Sequence, residues 1–255
     1  MDMYFVETSR RIMKNSRLVI ILTCFIAILS VIATLSGILS KTESGIKEFT
    51  SIHGQPVTLF GKGIYRHMSA EVAIQGIAQD YVTLFLACPL LLLAMAYSIK
   101  GSLKWRLILA GVLMYELVTY TFYLNMAMFN ALFLIYVAIA GLSFFSLAYV
   151  LLSFSGIDWT KMISGSSWTK FSGWFLMINA MAIALLWLGI IVPPLLDTSI
   201  YPQALEHYTT LIVQGNDLAF LLPLSFVTGL LMVKKRHAGI LGGVIYLVFL
   251  SLLMT

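Results

Sequence analysis

Seven stretches of mostly apolar residues recur along the chain, at about 17 to 39, 78 to 99, 106 to 126, 130 to 152, 171 to 195, 211 to 233 and 239 to 255. Each comes close to the roughly 20 residues that a helix needs to cross a hydrocarbon core of about 30 Å. Lipid offers the backbone no hydrogen-bond partner, so such stretches fold as helices. The pattern predicts an all-α fold, a polytopic membrane helix bundle of seven transmembrane helices forming one membrane domain over 1 to 255. The longest connection, 40 to 77, contains QPVTLFGKGIYRH, where the β-prone runs VTLF and IYRH flank Gly61-Lys62-Gly63 and read as a hairpin. Ser69 then opens SAEVAIQGIAQD as an N-cap. A short extracytoplasmic β-hairpin cap over the bundle is expected, carrying Arg66, His67 and Glu71.

Polar residues interrupt the apolar pattern at helical spacing. At about 100° per residue, His207, Thr210, Gln214 and Asp217 fall on one quarter of a helix, and Glu116, Thr119, Tyr120 and Tyr123 on one face of another. Ahead of the second span His67, Glu71, Gln75 and Gln79 step by four, followed by Asp80 and Thr83. The three stripes lie toward one end of their spans and are expected to converge on one pocket beneath the hairpin. Pro193-Pro194 closes the fifth span, and GILGG at 239 to 243 is a small-xxx-small face suited to close helix packing. Pro89 precedes Lys100 by eleven residues and Pro223 precedes Lys234 by eleven. That echo raises a parallel duplication, although any two helices running in one direction share half of it.

Composition agrees with a membrane chain: 60% of residues are hydrophobic and 11% charged, where soluble domains carry about 25% charge. The charges also sort by side. With the N-terminus inside, 12 of the 16 Lys and Arg are cytoplasmic, among them Arg10, Arg11, Lys14, Arg17, Lys100, Lys104, Arg106, Lys234, Lys235 and Arg236. Of the acidic residues only Asp2, Glu7 and Asp158 fall inside. The net charge of +5 is thus a topology signal and gives no reason to expect nucleic acid. The basic start and long first span read as a retained signal anchor. Trp105, Trp159 and Trp168 mark the inner boundary. The reading is a multi-pass protein of the plasma (cytoplasmic) membrane, N-terminus cytoplasmic and C-terminus outside, with the lipid bilayer as its first partner.

Glu116 is the most informative single position, because an acidic side chain at mid-span is unfavourable by about 2.5–3.5 kcal/mol. No Lys or Arg occurs in residues 107 to 160 or 171 to 233. Glu116 therefore carries its proton, or is neutralised by an outer-loop cation such as Lys62 or Arg66, or by a bound ion; the plainer reading is a neutral Glu bonded to Tyr or Thr as helix glue. His67, Glu71, His207 and Asp217 are candidate metal ligands by type, with no HExxH or comparable spacing. His53, His67, His207 and His237 lie at span ends, which disfavours a haem between spans. No phosphate loop and no GxSxG occurs, and no cofactor is indicated. Cys24 and Cys88 stand alone in apolar spans, without a CxxC, and read as small buried hydrophobes.

GKGIYRHMS, QDYVTLFLACPLLLL, FNALFLIYVA and LEHYTTLIVQ together resemble a family of uncharacterised multi-span membrane proteins of bacteria, over residues from about 55 to the C-terminus. In that family the Tyr-Arg segment is commonly followed by an Asp, where this chain has Met68. The resemblance implies the architecture and no activity.

The functional reading is a membrane protein with an outward-facing polar pocket that binds or moves a small solute, proton or cation. Glu116, Tyr120 and Tyr123 would form its centre, with Asp80, Gln75, His207, Gln214 and Asp217 lining the entry. The alternatives are a membrane-embedded enzyme at the outer leaflet, metal-dependent in one version, and a structural or accessory subunit whose polar stripes only join helices.

Overall fold

The computed structural model describes residues 17–40, 45–157, 159, 167–197 and 199–255. Arg10, Arg11, Lys14, Asp2, Glu7 and Asp158, on which part of the charge asymmetry rests, lie outside the described residues. Among the described residues the chain forms seven α-helices: α1 Arg17–Leu39, α2 Ala70–Ile99, α3 Leu103–Met126, α4 Phe133–Leu152, α5 Trp168–Leu196, α6 Ile212–Val233 and α7 His237–Leu253. The first six are long and apolar enough to cross a membrane, whereas α7 has 17 residues. Large apolar side chains stay exposed along them, on α5 above all, as surfaces that contact lipid require. The expected architecture of a multi-span all-α membrane protein is thus found.

The prolines act differently from expectation. Pro193 and Pro194 lie inside α5, which continues to Leu196. Near the other end of α5, Gly173 lies against α6: a Cβ there would stand 2.7 Å from the carbonyl oxygen of Gly229.

The two halves of the chain share a register. α2 contains a π-helical turn at Thr83–Ala87 and α6 one at Asp217–Leu221, each just ahead of a proline, Pro89 and Pro223. α2 ends at Ile99 and α6 at Val233, a residue with positive φ follows at Gly101 and Lys235, and the next helices begin at Leu103 and His237. Every one of these pairs is 134 residues apart.

The helices and the hairpin group into two compact units. The first comprises α1, α2 from Ile74, α3, α4 and α7 from Val244. Here α3 packs on α2 and α4, and α1 on α2 and α4. Its core is apolar around Val19, Ile26, Leu91, Leu109, Leu113, Ile139 and Phe249. Arg106 is buried at one end of α3, where Nη1 donates to the carbonyl of Ser153 at 3.3 Å and the guanidinium lies over Phe154.

The second unit holds the hairpin, the start of α2, α5, α6 and α7 as far as Gly243. α6 packs along α5, and Gly239 and Gly243 seat against Leu231 and Met232, the close packing that GILGG predicts. The hairpin is present with a different partner strand. β1 is Lys47–Thr50, paired antiparallel with β2, Pro56–Leu59, in the register Lys47 to Leu59. All four residues of β1 are exposed, so it lacks the alternation that marks a half-buried strand. Ser51 and Gly54 make its turn: the Gly54 N–H donates to the Ser51 carbonyl, and Ser51 Oγ accepts from the Gln55 N–H at 3.1 Å. In place of the expected strand IYRH there is a 3₁₀ turn over Gly63–Tyr65, and the chain returns through a single bridge, Leu59 to Ser69. Gly61 is required where it is, since its φ is +71° and a Cβ would collide with the Gly45 carbonyl. Met68 is buried inside this cap, at a position where an Asp would need a partner.

Candidate intramembrane site

In the first unit the Glu116 face of α3 points into the packed interior, as its spacing predicts. Glu116, Thr119 and Tyr120 are at most 3% exposed, and Asp80 of α2 is 2% exposed. Three tyrosine rings stack here: Tyr120, Tyr123 and Tyr136 lie with centroids 5.4–5.9 Å apart.

Counting protons separates this region into a closed part and an open part. Gln79 Nε2 donates to the Tyr115 hydroxyl at 2.6 Å, and the Thr83 hydroxyl donates to the Gln79 carbonyl at 2.9 Å. The 2.6 Å contact between Tyr115 and Thr83 must then use the tyrosine's proton. Each hydroxyl donates once and accepts once, so this ring is satisfied. Tyr123 ties α3 to α2, its hydroxyl lying 2.7 Å from the Gly76 carbonyl and 3.0 Å from Asp80 Oδ1. It has one proton for two acceptors.

Glu116 is the open part. Ser30 of α1 donates to Oε2 at 2.9 Å, while Oε1 is buried without a hydrogen-bond partner. Arg106 lies ten residues away on α3, about 15 Å along the axis, so no cation of that helix reaches it. Thr23 of α1 and Ser143 and Ser146 of α4 add further buried hydroxyls without partners.

No family model, no curated protein and no solved structure matches this chain.

In the second unit the expected stripe on the sixth helix divides. α6 begins only at Ile212, so His207 and Thr210 precede it in irregular chain, and Gln214 and Asp217 alone share the helix. The break has a local cause: Glu206 adopts φ 52° and ψ −121°, which no helix accommodates, and Tyr208 is anchored by the Ser69 N–H at 3.4 Å. Burial pushes the Tyr208 phenol up to about 12. His207 Nε2 lies 2.9 Å from the His67 carbonyl, which only accepts, so Nε2 carries the proton and the buried Nδ1 is left without a partner. The His207 ring also packs edge-on to Phe49.

His67 likewise precedes its helix, and Arg66 Nε donates to His67 Nε2 at 3.0 Å. Glu71 and Gln75 are on α2 and exposed. Ser69 stands at the N-cap, but its hydroxyl is buried without making the cap bond. Asp217, half-buried at the start of the π-turn, accepts from Trp187 Nε1 of α5 at 2.9 Å. Among the described residues no three His, Cys, Asp or Glu side chains come together. His67, Glu71, His207 and Asp217 are thus not assembled into a ligand set.

Two partners escaped the sequence reading. Ser30 had a signal, since Thr23, Ser30 and Thr34 repeat at helical spacing in the first span. Trp187 had one too: an indole N–H far from either end of an apolar helix needs an acceptor.

Proposed function

We propose that this chain is a membrane carrier that takes up and releases a proton, or a small cation in its place, at Glu116, with Asp80 as a second acidic station. The observation that carries the reading is the open carboxyl of Glu116, fully buried, bonded once to Ser30 and bare at Oε1. Helix glue has no need of an unsatisfied oxygen, and an orphaned buried acceptor costs about 1–3 kcal/mol. The closed Gln79–Tyr115–Thr83 ring is, by contrast, what a purely structural polar contact looks like.

The repeated register supports a carrier. The shared register of α2 and α6 fits two like halves of the sequence, α1 to α3 and α5 to α7, joined by α4. Parallel repeats with interrupted helices are one way transporters are built. In this reading α7 also spans, since about 17 residues is the lower bound for a crossing. The N-terminus lies inside, and the hairpin and the C-terminus lie outside the cytoplasmic membrane. Tyr120, Tyr123 and Asp80 would relay the proton.

The test is infrared difference spectroscopy of the reconstituted chain through a pH titration. A protonated-carboxyl band that titrates in wild type and is lost in Glu116→Gln supports the reading. Identical carboxyl difference spectra for the two would overturn it.

A further inference from the structure

A second site belongs to neither the Glu116 cluster nor the proton path. Within the second unit the hairpin, the start of α2, the end of α5 and the turn before α6 line an open cavity of about 1080 Å3. That is the size of a full small-molecule pocket, about 300–1,000 Å3, and far too roomy for a bare ion. Four of its lining residues are prolines, which make a stiff, largely apolar wall.

What the wall offers in polar groups is one-sided. Glu71 and Glu206 both line it, with Gln55 and Gln203, and no lining residue among those described is Lys, Arg or His. The backbone adds to this. Gly189 and Ile190 line the cavity, and the helical partners of their carbonyls are the nitrogens of Pro193 and Pro194. Proline has no N–H, so both carbonyls lose their regular donors in the last turns of α5. The cavity thus concentrates acceptors: two carboxylates and two released carbonyls on an apolar floor. The side-chain donors of the wall, Gln55, Gln203 and Thr58, are all uncharged. A guest with a positive charge and N–H donors therefore meets two acidic residues there and no cation.

We propose that this cavity binds a primary or secondary ammonium group carried on an apolar body of drug-like size. The amine belongs either to a soluble compound or to the headgroup of an aminophospholipid. The site rests on residues of the second unit alone and not on the reading of Glu116.

Calorimetric titration of the full chain in phosphatidylcholine nanodiscs tests this with phenethylamine against its neutral counterpart, phenethyl alcohol. Phenethylamine is expected to bind at least about tenfold more tightly, and Glu71→Gln and Glu206→Gln each to weaken it about tenfold. Including phosphatidylethanolamine in the nanodisc separates the sources: competition assigns the site to the lipid, and unchanged affinity assigns it to a soluble amine. The proposal is overturned if the folded wild-type chain binds no amine, if the alcohol binds equally well, or if both substitutions leave the affinity unchanged. The comparison of amine with alcohol needs no variant, so a substitution that fails to fold leaves the test intact.

Discussion

Glu116→Gln puts the central claim to a quantitative test. The side chain is 0% exposed and receives one bond, from Ser30. If the carboxyl is neutral at rest, Gln has nearly its shape and keeps the oxygen that Ser30 bonds. Stability then changes by less than about 1 kcal/mol, because one neutral hydrogen bond is at stake at most. If it is instead an unpaired anion, the substitution removes a charge costing about 2.5–3.5 kcal/mol at mid-span, and Gln stabilises by that amount. Ser30→Ala scales with it, at about 0.5–1.5 kcal/mol for a neutral acceptor and about 1.5–3 for a charged one. The assay is reversible unfolding in mixed micelles at neutral pH for wild type, both single variants and the double variant. The expected result is a near-neutral Glu116→Gln and a loss of about 1 kcal/mol for Ser30→Ala. Stabilisation by 2.5 kcal/mol or more would refute a carboxyl that carries its proton at rest.

Four further outcomes follow from the same geometry. Tyr115→Phe leaves the Gln79 amide and the Thr83 hydroxyl short of partners; unfolding should show a loss of about 1–3 kcal/mol, with the titrating carboxyl band unchanged. Gly229→Ala puts a Cβ 2.6 Å from the Gly173 carbonyl oxygen, so its melting temperature should fall by the equivalent of about 1–3 kcal/mol. For Tyr208, burial favours the neutral phenol and lifts its value to about 12. Its stabilisation is complete below the unfolded value of about 10 and is lost, at up to about 1.4 kcal/mol per unit, as pH rises toward 12; melts of Tyr208→Phe should decline less steeply over that range. Glu206→Gly relieves a backbone strained by about 1–3 kcal/mol and should melt higher while binding phenethylamine more weakly.

The spans were legible because lipid forces the backbone into helices, which turns length and apolarity into a direct signal. Hydropathy says nothing, however, about backbone register within a helix. The π-turns at Thr83 and Asp217 were invisible, and Pro89 and Pro223 showed only their echo. The stripe beginning at His207 was misread because periodicity presumes a helix, and Glu206 breaks the chain ahead of α6 at a residue type that gives no warning. The KEFT strand was missed for the opposite reason: a fully exposed strand has no buried face to pattern it. Glu116 was legible as a mid-span acid, and the Thr23, Ser30 and Thr34 spacing marks a hydroxyl face, but not which hydroxyl reaches Glu116, because a hydroxyl in an apolar helix also bonds its own backbone, as Thr34 does with the Ser30 carbonyl.

The coincidence at 134 residues is hard to assign to shared direction alone. Two helices that run the same way would both tend to end on lysine, but nothing in that direction fixes the distance from a π-turn to a proline, a helix end, a positive-φ residue and the next helix start. All of these agree between α2 and α6. Lys235 is informative because it holds φ 51° where its counterpart is Gly101 at φ 90°. A β-carbon-bearing residue rarely adopts that conformation unless the fold demands it. A bend held at Lys235 without a glycine says that the turn is set by its surroundings and not by the residue. The two halves differ where chemistry enters: a tyrosine holds the acid on α2, an indole holds the one on α6, and only α3 carries a mid-helix Glu. Under the proposed duplication, one frame with one specialised half gives both the shared register and the open carboxyl of Glu116.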